Sequence, residues 1–150
     1  MTKSIAARLS SRVPRREELV FLEIQKTADY LSRRVVPVLK SEDISPTQYN
    51  VLRILRGSPN GLPCGEIANR MITRDPDMTR LLDRMEKREL ISRARDDEDR
   101  RTVITRITAS GREVLARLDE PVQEAHRRQL GHMSPAQLRN LARLLQAARN

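Results

Sequence analysis

Residues 96–101, "DDEDRR", set four carboxylates directly against two guanidinium groups, Arg100 and Arg101. Guanidinium groups bind phosphate oxygens or enter a narrowed minor groove, and a carboxylate paired to an arginine can stiffen the loop that carries it. Asp99 is therefore expected to organise Arg100 and Arg101. Asp96, Asp97 and Glu98 shield and solubilise the turn, and the plainer alternative for all four acids is a solvated charge run. A second set of polar side chains lies upstream: Arg74, Asp77, Thr79, Arg80 and Arg84. Thr79 and Arg80 suit base edges in a groove and Arg84 suits a phosphate, whereas Asp77 favours a helix N-terminus. The rival reading is an exposed helix laced by pairs such as Arg80 with Asp83. All of this is chemistry of recognition. No nucleophile stands with a base, no carboxylate pair lies in an apolar setting and no glycine loop cradles phosphate, so an enzyme is not expected.

The elements that position these residues can be read from periodicity. From Glu17 to about Leu39 apolar residues recur at helical spacing, with Pro37 placed to kink or stop the last turn. "SPTQ" at 45–48 and "SPAQ" at 134–137 each offer a Ser cap, a Pro at the first helical position and a Gln that completes a capping box. Residues 62–71 are expected as one short helix burying Ile67, Ala68 and Met71. Asp75 can cap the next helix ahead of Pro76, and Met78, Leu81, Leu82 and Met85 follow at i, i+3, i+4 and i+7. After Leu90 the period changes. "LISRAR" and "TVITRI" pair as a hairpin across residues 96–101, and Thr108 then caps a helix with a stripe of Val114, Leu118, Val122 and Ala125, interrupted by Pro121. The order is that of a winged helix-turn-helix, in which the second helix of the turn motif enters the major groove and the hairpin reaches toward the minor groove.

Composition agrees with a polyanionic partner. In 150 residues, 29 Lys and Arg stand against 20 Asp and Glu, a net charge of +9. Phe21, Tyr30 and Tyr49 are the only aromatics, too few for stacking single strands. The opening "MTKSIAARLSSRVPRR" has no secretory core and no stretch suits a membrane span, so a cytoplasmic protein with no membrane partner is expected. One cysteine, Cys64, and two histidines, His126 and His132, give no metal constellation and no disulfide, and no cofactor is expected. Cys64 could be a redox switch but is read as a small packing residue, and Tyr30 and Tyr49 are read as packing residues that could also line an effector pocket.

Residues 66–112 resemble the MarR family of bacterial transcription regulators. "MTRLLDRMEK" on the recognition helix, "DDEDRR" at the wing and "RITASGR" opening the next helix carry the resemblance in order and spacing. It implies a mainly α, winged helix-turn-helix fold of about six helices with a two-stranded wing, in an interlocked helical homodimer. It divides one 150-residue domain into a flexible basic arm (1–14), dimerisation helices (17–40 and 108–150) and a DNA-binding part (45–107). It also implies a repressor on a palindromic operator in double-stranded DNA, released by a small, phenolic-type ligand. The alternative is a sequence-tolerant architectural protein of the nucleoid. Two positions depart from the family pattern, Ile72 and Glu89, each where a glycine is common. Glycine at the second suits a left-handed residue that ends a helix.

Overall fold

The computed structural model describes residues 15–150; the expected basic arm lies outside the described residues. Of the described residues, 15–33 belong to one unit and those from Arg34 to Asn150 to another. Helix α1 spans Arg16–Lys40 and passes through Pro37 without stopping there. It buries only Leu39, near its C-terminus.

Six helices and three short strands are formed among the described residues. Helix α2, Pro46–Arg56, opens on the predicted capping box: the Ser45 hydroxyl accepts from the Gln48 N–H at 3.2 Å, and the Gln48 side chain accepts from the Ser45 N–H at 3.0 Å. The same reciprocal pair, Ser134 with Gln137, opens helix α6, Pro135–Ala147. Residues 62–71, expected as one helix, divide instead into strand β1, Leu62–Pro63, and helix α3, Cys64–Arg70. Pro63 has no N–H to give a ladder, and β1 is an edge strand that tolerates the loss.

Helix α4, Met78–Lys87, also begins two residues later than expected. Its cap is Asp77, whose carboxylate accepts from the Arg80 N–H at 3.0 Å, while Asp75 accepts from the Asp77 N–H at 2.8 Å and shapes the approach. Pro76 therefore sits in the turn and not in the helix. The apolar spacing holds: Met78, Leu81, Leu82 and Met85 are all buried.

Strands β2, Ile91–Arg95, and β3, Val103–Ile107, form the expected antiparallel hairpin, with Ile91 opposite Ile107 and Arg95 opposite Val103. Strand β1 adds a third member on the other side of β3. Helix α5, Ala109–Leu130, follows from the predicted Thr108 cap and runs through Pro121 uninterrupted. Its stripe of Val114, Leu118, Val122 and Ala125 is buried together with Leu52 and Leu55 of α2, Ile67 of α3, and Leu82 and Met85 of α4. Two bidentate ion pairs fasten α5 further: Asp119 to Arg56 at 3.0 and 2.8 Å, and Arg117 to Glu42 in the α1–α2 loop at 3.0 and 2.9 Å. Helix α6 buries none of its residues.

Glu89 closes α4 at φ 58°, in the left-handed region, and the following Leu90 N–H reaches back to the Met85 carbonyl at 3.1 Å. That is the geometry glycine serves at a helix C-terminus, and a residue with a Cβ is strained there by about 1 kcal/mol. Glu89→Gly is expected to relieve this strain, offset in part by the greater freedom of glycine in the unfolded chain. A rise of about 1–3 °C in the thermal midpoint is expected. A midpoint at or below wild type would count against the strain.

Candidate nucleic-acid interface

All eight predicted contact residues, Arg74, Asp77, Thr79, Arg80, Arg84, Asp99, Arg100 and Arg101, are exposed. The helix residues are held by what lies behind them. Met78, Leu81, Leu82 and Met85 fix the inner face of α4, so Thr79, Arg80 and Arg84 are turned outward by the helical repeat. Arg74 lies in the turn just ahead of the helix and lines a small recess with Ala68, Asn69 and Asp75. Asp77 serves as the cap, and its second oxygen lies 3.4 Å from Nε of Arg80. Both partners are largely exposed, so this pair is weak and readily exchanged for another acceptor.

Asp99 organises the wing tip, by a route other than the one expected. Among the described residues it forms no ion pair with Arg100 or Arg101. One carboxylate oxygen accepts from the Arg101 backbone N–H and the other from the Thr102 hydroxyl, each at 3.0 Å, while its carbonyl accepts from the Thr102 N–H at 2.9 Å. The physical reason is reach: a short aspartate side chain is better matched to the N–H groups of the next turn than to the ends of neighbouring arginines. Asp96 accepts from the Glu98 N–H at 3.3 Å, and Arg95 donates to the Arg100 carbonyl at 2.7 Å from the strand below. The backbone of the tip is thus bonded internally. The guanidinium groups of Arg100 and Arg101 form no ion pair among the described residues, and neither do those of Arg74 and Arg84.

The base of the site holds a residue not anticipated from the sequence. Arg93, on β2, donates from Nε to Glu86 at 3.0 Å and from one terminal nitrogen to both Glu86, at 2.6 Å, and Asp83, at 2.5 Å. Its backbone N–H also donates to Glu86, at 3.1 Å. Hydrogen bonding to Arg93 holds the Glu86 carboxyl below its ordinary range. Asp83 is thereby taken by the strand and not by Arg80. Arg93 lies on the same face of the hairpin as buried Ile91, and an arginine on an inward face needs acidic partners. That parity was the available signal.

The arrangement offers an exposed helix, with a cationic and hydroxyl-bearing outer face, beside a hairpin whose tip projects two uncommitted guanidinium groups. A model of the MarR family matches residues 44–103, from just ahead of α2 to the first residue of β3. A MarR transcription factor from Planctomyces limnophilus is 36% identical, covers 91% of this chain and 99% of its own, and superposes with a TM-score of 0.67. The chain belongs to the MarR family. A second solved relative, the transcriptional repressor CouR bound to a 23-mer DNA duplex, is 26% identical with a TM-score of 0.78 over 93% of this chain and 100% of its own. In sequence, the homoprotocatechuate degradative operon repressor of Escherichia coli is 26% identical over 110 residues, 73% of this chain and 74% of that protein. The relatives of this MarR-family chain are transcription regulators and not enzymes. Among the described residues no helix is long and apolar enough to cross a membrane, and no cluster of His, Cys, Asp and Glu could hold a metal ion.

Proposed function

We propose that this MarR-family protein is a homodimeric transcription repressor that binds a palindromic operator in duplex DNA. The observation that carries the reading is the pairing of the outward face of α4 with the tip of the β2–β3 hairpin, the former suited to the major groove and the latter to the adjoining minor groove. Thr79 and Arg80 take base edges, Arg74 and Arg84 take phosphates, and Arg100 and Arg101 take the minor groove or its flanking phosphates. Asp77 and Asp99 hold the backbone that presents them. Likeness to a repressor solved on a DNA duplex supports the choice of partner.

Self-association is supported by apolar surface left open in one chain. Leu19, Val20, Phe21 and Leu22 on α1 are 51%, 55%, 59% and 40% exposed, and Leu144 on α6 is 51% exposed. Faces of this kind on helices that carry little else to bury are interfaces in waiting. Residues 17–40 and 108–150 are therefore assigned to dimerisation and 45–107 to DNA. A regulating ligand is proposed to be a small aromatic acid, in keeping with the relative that represses homoprotocatechuate degradation. A cleft of about 410 Å³, lined by Val36, Ile44 and Pro46 together with Lys40, Gln48, Asp43 and Arg88, offers apolar wall and the Lys40 ammonium for such a molecule, Arg88 being paired to Asp43.

The experiment is mobility shift with duplexes enriched from a random pool by the protein itself. Enrichment of an inverted repeat, bound at least about tenfold more tightly than its scrambled version, is expected. Equal affinity for both would mean an architectural, sequence-tolerant protein instead. Arg80→Ala should lower that preference by about 1–3 kcal/mol at the base it reads, while leaving affinity for scrambled duplex nearly unchanged. Equal losses on both duplexes would remove Arg80 from the groove.

A further inference from the structure

Two acids of the recognition helix are tied to the base of the wing. Asp77, Asp83 and Glu86 all lie on a helix proposed to enter a polyanionic groove. Asp77 is occupied as the cap and by Arg80, and Asp83 and Glu86 both converge on Arg93. The Arg93 side chain is 24% exposed, less than either acid, so the pair of bonds sits in the crevice between α4 and the hairpin. It is the only side-chain ion-pair link between the recognition helix and the wing among the described residues. Nε and one terminal nitrogen of the planar guanidinium close on the same Glu86 oxygen, that nitrogen also takes Asp83, and the other Glu86 oxygen takes the Arg93 backbone N–H. Contacts from two residues of α4 to one rigid plane and its backbone fix an angle as well as a distance, which a single contact would not do.

We propose that Arg93 is a positioning residue for DNA binding: it sets the angle between α4 and the wing so that groove and wing-tip contacts form on the same duplex at the same time. The proposal rests on the DNA-binding reading. Without the link, the hairpin remains folded through its ladder and the buried Ile91 and Ile107, but its tip is free to swing about that base. Arg100 and Arg101 then lose the benefit of preorganisation, because ordering the wing must be repeated in each binding event.

A double-mutant cycle separates this from simple stabilisation or from masking of two negative charges. On a duplex enriched by the wild type, Arg101→Ala is expected to weaken binding about tenfold in the wild-type background, and less than about threefold in an Arg93→Gln background. Arg84→Ala, on the helix itself, should cost the same in both. Additive losses for Arg93 and Arg101 overturn the proposal. If Arg93→Gln fails to fold, Asp83→Asn with Glu86→Gln removes the same link from the other side. Masking predicts that this pair of substitutions tightens binding and leaves the Arg101 effect undiminished, which would also overturn it; positioning predicts that the Arg101 effect shrinks. Wild-type protein that enriches no duplex overturns the DNA-binding reading and this inference together, whereas specific binding with an additive cycle overturns this inference alone.

Discussion

Replacing Arg100 and Arg101 together with alanine is expected to weaken duplex binding by about two orders of magnitude at about 0.1 M salt, and to flatten its salt dependence by about 3 to 4 in log–log slope. The change of slope follows from counterion release. Each proposed dimer presents two wings, so the double substitution removes four cations from the complex, and each phosphate neutralised on B-form DNA contributes close to one unit of slope. The loss should fall alike on enriched and scrambled duplexes where the contacts are to phosphate. It should be larger on sequences with narrow A-tract minor grooves where the side chains enter the groove itself. Stability is expected to be unchanged, since neither side chain has an ion-pair partner among the described residues and the tip is bonded through Asp99, Thr102 and Arg95. Titrations at several salt concentrations, with a melting curve for each variant, check all three statements. A slope equal to wild type would place the wing off the DNA.

How much of this was legible in the sequence follows from where the determining interactions lie along the chain. Local signals succeeded. The capping boxes at Ser45 and Ser134 involve residues three apart, and the change of period after Leu90 marks the hairpin because each strand alternates within its own five residues. The helix start at 75–78 differs from the expectation because both aspartates are good caps and a proline after the first favours it. Only the hydrogen bond from the Asp77 N–H to Asp75 makes the first a turn-former and leaves the second as the cap. Strand β1 was illegible for a different reason: two residues, one of them proline, show no alternation, and their pairing with Ile104 and Thr105 joins distant parts of the chain. Arg93 escaped notice likewise. Its partners lie 7 and 10 residues away, on an element of another period, and only hairpin register brings them together.

The clearest case of a residue whose importance depends on a distant neighbour is Gly111, in the first turn of α5. A Cβ built there would fall well inside contact distance of the Leu90 carbonyl oxygen, 2.8 Å from Cγ1 of Ile107 and 3.3 Å from Cδ2 of Leu52. None of these can easily retreat. The Leu90 carbonyl accepts the Thr108 N–H at 3.2 Å, the Thr108 hydroxyl donates to the Glu89 carbonyl and accepts the Gly111 N–H, and Ile107 and Leu52 are buried. Gly111→Ala should therefore cost about 3 kcal/mol, the upper part of the range for overpacking, even after the gain of about 1 kcal/mol that alanine brings to a helix. The expected fall in thermal midpoint is about 6–12 °C. Gly65 supplies the control, being the same substitution in α3 with nothing within 4 Å of the new carbon. Gly65→Ala should be neutral or stabilising by up to about 1 kcal/mol. The site consequence separates the two further. The end of α4, the base of the wing and the start of α5 meet at Leu90, so the shift forced by a methyl group at Gly111 should reduce duplex affinity at temperatures where the variant is still folded. Paired melting curves that move together, or a Gly111→Ala variant that binds like wild type, would show that the three elements are not held in register at this point.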